Sequence, residues 1–170
     1  MIKNHIVLLE PEIPQNTGNI ARSCAATNSD LHLIHPLGFK IDQKSVKRAG
    51  LDYWDKLSIF EYANFEEFLE RELTGIKSRG ESLWYLTTKA KFTYSDVKLD
   101  GSCWFVFGKE SAGIPNKILN ANTDALIRIP MGKNIRSLNL SNSVAIVLYE
   151  ALRQQNFNSL QREGVLPPSS

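Results

Sequence analysis

Short apolar runs alternating with amphipathic stretches give the first picture of this chain. The runs His5 to Leu9, Leu31 to His35, Leu57 to Tyr62, Leu83 to Thr87, Trp104 to Phe107 and Ala125 to Ile129 are long enough for strands and too short for helices. Helical periodicity lies between them. Thr17 to Thr27 follows Asn16, which reads as its N-cap. Phe65, Phe68, Leu69 and Leu73 form an i, i+3, i+4 stripe, and Pro115 suits the first turn of a helix reaching about Leu119. The longest segment is Leu138 to Gln155. There Leu140, Val144, Val147, Leu148 and Ala151 share one apolar face, and Tyr149 with Leu152 widens it. Strands alternating with helices predict an α/β domain: a mostly parallel sheet with helices on both faces. One domain over residues 1–156 is expected, followed by a C-terminal tail, 157–170, that ends Pro-Pro-Ser-Ser.

Composition narrows the class. The 170 residues are 42% hydrophobic and 22% charged, ordinary values for a globular protein. No apolar run approaches the ~20 residues of a membrane helix. Met1 to Glu10 lacks a small-residue cleavage site and reads as a strand, not a signal peptide. Cys24 and Cys103 have no metal-ligand spacing and suit buried positions in a reducing compartment, so a cytoplasmic protein without a metal is expected. His5, His32 and His35 sit in or beside strands and read as structural. The net charge of +2 barely favours nucleic acid, but the basic residues cluster: Lys44, Lys47 and Arg48; Lys89 and Lys91; Arg128, Lys133 and Arg136. Each cluster taken alone reads better as a solvated surface.

In parallel α/β sheets ligands bind beyond the carboxyl ends of the strands. Three such ends are rich in small polar residues: Thr87-Thr88-Lys89, Gly108 to Gly113, and Pro130 to Asn134. No G-x-G-x-x-G exists. Gly108 and Gly113 have P-loop spacing, but Ile114-Pro115 stands where Lys and Ser or Thr are required. These loops suit a largely uncharged ligand such as an adenosine, read by backbone groups, better than a diphosphate.

Three stretches carry a resemblance: Asn16-Thr-Gly-Asn-Ile-Ala-Arg22 after Glu10-Pro-Glu-Ile-Pro14; Phe107-Gly-Lys-Glu-Ser-Ala-Gly-Ile-Pro115; and Ile129-Pro-Met-Gly-Lys-Asn-Ile-Arg-Ser-Leu-Asn-Leu-Ser-Asn-Ser143. In order and spacing they resemble the three motifs of the SpoU branch of the SPOUT methyltransferases. Leu31 to Gly38, Ala49 to Tyr53 and Leu86 to Lys89 are similar to the small subfamily that methylates the wobble ribose of tRNA. The resemblance spans His5 to about Asn156. It implies a C-terminal deep trefoil knot, S-adenosylmethionine as cofactor, a homodimer, and the anticodon loop of tRNA as partner. By position it implies cofactor contacts at Leu86, Gly108, Ile129, Ser137 and Leu138. At Gly108 a bulkier residue is expected to clash with the adenosine. The family's second motif often has Pro and Arg where Lys109 and Ala112 stand here; Lys109 or Arg136 is then the candidate substitute for that arginine.

The resemblance gives Arg22 the central catalytic role. Guanidinium stays protonated, so orienting a substrate phosphate and stabilising a developing alkoxide suits it better than acting as a base. Periodicity alone makes Arg22 a surface residue on the polar face it shares with Asn19. Asn16 is either an N-cap or a hold on Arg22 or the substrate. Glu110 either accepts from an arginine of the site or starts its loop's turn. Asn139 and Ser137 fit a helix start as well as a site. Lys44, Lys47, Arg48, Lys89 and Arg136 are candidates for the loop phosphates, and Tyr53 and Trp54 are either stacking platforms or core. Two other classes compete: a flavodoxin-like nucleotide enzyme, which lacks its phosphate loops, and a non-catalytic RNA-binding factor, which would not need Arg22.

Overall fold

The computed structural model describes residues 2–40 and 57–166. Seven strands form one sheet in the order β3-β2-β1-β6-β4-β7-β5, and every pairing is parallel. The strands are β1 (Asn4–Leu9), β2 (Asp30–Ile34), β3 (Ile59–Tyr62), β4 (Ser82–Leu86), β5 (Phe92–Thr93), β6 (Cys103–Phe107) and β7 (Leu126–Arg128). The helices are α1 (Pro14–Ala26), α2 (Phe65–Ser78), α3 (Asn116–Asn120) and α4 (Leu140–Gln154), with a 3-10 turn at Thr123–Ala125.

The central strands are buried on both sides, and their alternation divides the apolar residues between two cores. Ile6, Leu8, Leu31, Leu33, Phe105 and Phe107 face α1 and α4, where Ile20, Cys24, Val144, Val147 and Leu148 meet them. Val7, Leu9, Ile34, Trp104 and Val106 face the opposite way, onto Phe65, Phe68 and Ile76 of α2 and Leu119 of α3. Helices therefore cover both faces. No described helix is long and apolar enough to cross a membrane.

Three expectations are corrected. First, α1 begins at Pro14, not after Asn16. Ile13 holds the N-cap position without a side-chain bond, and Pro14 suits the first helical position because its missing N–H costs nothing there. Asn16 lies inside the first turn, buried. Second, α4 begins at Leu140, because the Asn139 side chain accepts from Ser141 N and Asn142 N and caps it. Third, Leu152 does not widen an outer face. It is buried in the first core, while Ile146 and Tyr149 point outward. β5, two residues long, has no sequence signature and escaped the periodicity. Beyond α4, Phe157 and Leu160 fold back against the first core.

Candidate active site

The carboxyl ends of β1, β4, β6 and β7 open into a cavity of about 520 Å³. Leu86, Gly108, Ile129, Ser137 and Leu138, the five residues expected to touch a cofactor, all line it. So do Asn16, Glu110, Asn139, Lys89 and Arg136. Its apolar wall includes Leu86, Phe107, Ile114, Ile129 and Leu140, and its volume falls within the ~300–1,000 Å³ typical of small-molecule sites.

The second-motif loop folds into a tight turn. Gly113 N donates to the Lys109 carbonyl at 2.8 Å, and Gly113 adopts φ +70°, a conformation that favours glycine. Gly108 is already required by its own loop. A Cβ there would lie 2.1 Å from the Gly113 carbonyl carbon and 2.2 Å from Ile114 N. The close approach is the loop crossing itself, so a side chain at Gly108 displaces the loop before it meets any ligand.

Three candidate catalytic residues form one hydrogen-bonded chain. Asn139 Nδ2 donates to Asn16 Oδ1 at 2.9 Å, and Asn16 Nδ2 donates to Glu110 Oε1 at 2.9 Å. Glu110 Oε2 accepts from Glu12 N at 2.8 Å, and Oε1 accepts from Ile13 N at 3.3 Å. Glu110 thus holds the start of α1. Its carboxylate stands where a helix N-terminus favours negative charge. The chain ties together the starts of α1 and α4 and the β6–α3 loop.

The cations distribute unevenly. Arg22 is exposed on the Asn19 face of α1, as periodicity predicted, and it is not among the residues lining the cavity. Lys109 pairs with Glu10 at 2.7 Å, and Lys89 Nζ donates to Asn116 at 2.7 Å. Arg136 is exposed at the cavity wall and makes no ion pair among the described residues. Lys44, Lys47, Arg48, Tyr53 and Trp54 lie outside the described residues. Sequence reasoning missed Glu10 and Glu12. Both stand in the Glu10-Pro-Glu-Ile-Pro14 lead-in, but their partners lie 99 residues away.

A profile of the SpoU rRNA Methylase family matches residues 3–149. The chain belongs to the SpoU family. A SpoU relative from Listeria innocua, provisionally named a tRNA (cytidine(34)-2'-O)-methyltransferase, is 51% identical over 163 residues, covering 94% of this chain and 93% of its own. The tRNA (cytidine(34)-2'-O)-methyltransferase of Saccharophagus degradans is 46% identical, over 90% of this chain and 96% of its own. A structure solved for insights into the 2-OH methylation of C/U34 on tRNA superposes with TM-score 0.82 at 38% identity, over 92% of this chain and 99% of that one. An AdoMet-bound rRNA methyltransferase from Sinorhizobium meliloti superposes at 0.75 with 25% identity, over 89% of this chain and 56% of that one.

The SpoU chain carries a second polar cluster at the amino ends of its strands. His5, Asp30 and His32 bring metal-type ligand atoms within 4.8 Å of one another. The contacts form a chain of hydrogen bonds. Tyr62 Oη donates to Glu72 at 2.9 Å, so His32 Nδ1, 2.8 Å away, carries the proton it gives to Tyr62. His32 Nε2 then accepts from His5 Nδ1 at 3.2 Å. Asp30 pairs with Lys3 at 2.6 Å. The His5 ring stacks on Trp104, centroids 3.8 Å apart. Burial lowers both imidazoles, His5 to about 4, and holds them neutral.

Proposed function

We propose that this chain transfers a methyl group from S-adenosylmethionine to the ribose 2′-hydroxyl of the wobble nucleotide of tRNA, cytidine or uridine 34, the reaction named for its relatives. One observation carries the reading: a single cavity at the carboxyl ends is lined by every residue the three motifs nominate for the cofactor. The lining suits that cofactor. It offers aliphatic side chains, backbone polar groups and few charges, and it has no phosphate-binding lysine loop. Leu86, Ile129 and Leu138 would hold the adenosine, with Gly108 and Ser137 beside them. When bound, S-adenosylmethionine supplies an electrophilic methyl group on a sulfonium.

The chain's own residues then have to position the hydroxyl and stabilise its developing charge. Arg22 orients the substrate phosphate and stabilises the alkoxide, while the proton leaves to phosphate or water. Asn16, Glu110 and Asn139 bond to one another and to helix starts, which suits holding the site in shape. Arg136 and Lys89 at the cavity wall, with Lys44, Lys47 and Arg48, grip the anticodon-loop phosphates.

In the same reading the chain is a homodimer. Arg22 stands off the cavity of its own chain, and Leu138, Ile146 and Tyr149 expose apolar surface at and beside α4. A second copy on that face would cover it and bring Arg22 to the partner's cavity. The reading also includes a trefoil knot in the C-terminal part, for which the insertion of β7 between β4 and β5 gives the strand order. The test is transfer of labelled methyl from S-adenosylmethionine to mixed tRNA, followed by alkali. A 2′-O-methyl blocks cleavage, so label in alkali-resistant dinucleotides is expected. Label recovered in single nucleotides would mean base methylation and overturn the reading.

A further inference from the structure

Two loops at the carboxyl end grip each other through contacts outside both cores. Glu12 accepts from Ser111 N and from Ser111 Oγ, each at 2.8 Å. In return Glu110 accepts from Glu12 N and Ile13 N. Glu10 and Lys109 close a third contact at 2.7 Å. The segment is pinned from its other side as well. Gly38 N donates to Pro11 O at 2.9 Å, and a Cβ on Gly38 would stand 2.7 Å from the Glu12 backbone.

We propose that Glu12, backed by the Glu10–Lys109 pair, is a positioning residue that clamps the start of α1 to the β6–α3 loop and so fixes where Arg22 stands. The inference rests on the functional reading above, in which Arg22 acts on the substrate. Each segment supplies both a carboxylate and backbone donors, so neither can slide without breaking bonds in both directions. The buried face of α1, Ile20, Ala21 and Cys24, rests on an apolar core whose attraction is non-directional and fixes position along the axis less sharply than hydrogen bonds do. Directional bonds at the helix start set that position. A slip of one residue moves Arg22 by roughly 1.5 Å along the axis and turns it by roughly 100°. Misplacement by about 1 Å can cost about a hundredfold in rate. The Ser111 bonds hold the Glu12 carboxyl below its usual range, so it is charged at neutral pH. Its bonds are exposed and add little to stability, which separates positioning from folding.

The experiment compares Glu12→Ala, Glu12→Gln and Ser111→Ala with the full-length wild type. It measures single-turnover methyl transfer at saturating cofactor and tRNA, cofactor Kd by calorimetry, Tm, and amide exchange. Glu12→Ala is expected to lose about ten- to a hundredfold in rate, with Kd within about threefold and Tm within a few degrees. Glu12→Gln, which still accepts from Ser111, recovers part of the rate, and the Glu12→Ala/Ser111→Ala double variant is no slower than Glu12→Ala alone. A rate within about twofold of wild type overturns the proposal, as does a rate loss matched by lost cofactor affinity or Tm. A wild type that methylates no tRNA defeats the functional reading and not the clamp, which amide exchange decides alone. Faster exchange in the first turns of α1 with α4 unchanged supports the clamp, and unchanged exchange overturns it.

Discussion

The two ends of the sheet carry polar networks of opposite kinds. At the amino end, Lys3, Asp30, His5, His32, Tyr62 and Glu72 form a connected series of bonds roofed by Trp104, and its middle is shut away from water. At the carboxyl end, Asn16, Glu110 and Asn139 are bonded just as fully, but they wall an open cavity with an exposed cation beside it. Both obey the rule that buried polar groups find partners. The difference lies in what is left over. The closed network spends its bonds inside a buried cluster, whereas the open one borders a shaped space and a charge. A cluster of histidines and a carboxylate is the more eye-catching motif in sequence, yet it lies at the opposite end of the sheet from the cavity that the motif residues line.

Substitutions at the two ends should therefore separate stability from function. The largest effect belongs to the closed end. Trp104→Ala removes a fully buried ring and the donor to Glu81, and it should cost about 3–5 kcal/mol in denaturant unfolding. Cofactor Kd in the protein that remains folded should be nearly unchanged; a Kd that collapses with stability would erase the distinction. Arg22→Ala should do the reverse. Its rate should fall about a hundred- to a thousandfold, equivalent to roughly 3–4 kcal/mol, with stability within about 0.5 kcal/mol. A normal turnover number would make Arg22 an ordinary surface residue.

Acid probes the closed end next. His5 is depressed when folded, chiefly by burial, from 6.5 to about 4. The unfolded chain then binds more protons between these values, so stability is full above pH 6.5 and falls as pH drops toward 4. The loss from His5 is at most roughly 3 kcal/mol, and His32 shifts in the same direction. Unfolding midpoints from pH 7.5 to 4.5 check this, and His5→Asn should flatten the slope. Gly108→Ala comes after. It should weaken cofactor binding about tenfold or more by shifting the loop that crosses it. Unchanged calorimetric affinity would remove that loop from the site. The smallest effect is Asn139→Ala, which loses a helix cap worth about 1 kcal/mol. It should also lower the rate, because Asn16 loses its donor.

The sheet was largely legible because fully buried parallel strands read as short apolar runs; all six expected runs overlap observed strands, with ends no more than two residues off. The first turn of α1 was not, because Asn16 is a good cap by residue type and only its bonds to Glu110 and Asn139 show another use. Pro14 was the better signal. The cavity lining was legible through the motifs, and the Asn16–Glu110–Asn139 chain was not, since its members are 94 and 123 residues apart. Gly108 was singled out correctly for tightness, but the neighbour that makes it tight is its own loop.

Mapping the methyl group tests the account most directly. Purified protein, isotopically labelled S-adenosylmethionine and mixed tRNA are incubated, and the tRNA is digested with a base-specific nuclease and read by mass spectrometry. One labelled ribose is expected, at nucleotide 34 in the anticodon loop of a small set of tRNAs, with label at early times reduced about a hundredfold or more for Arg22→Ala. Label on a base, on a ribose outside the anticodon loop, or undiminished in the Arg22 variant would contradict it.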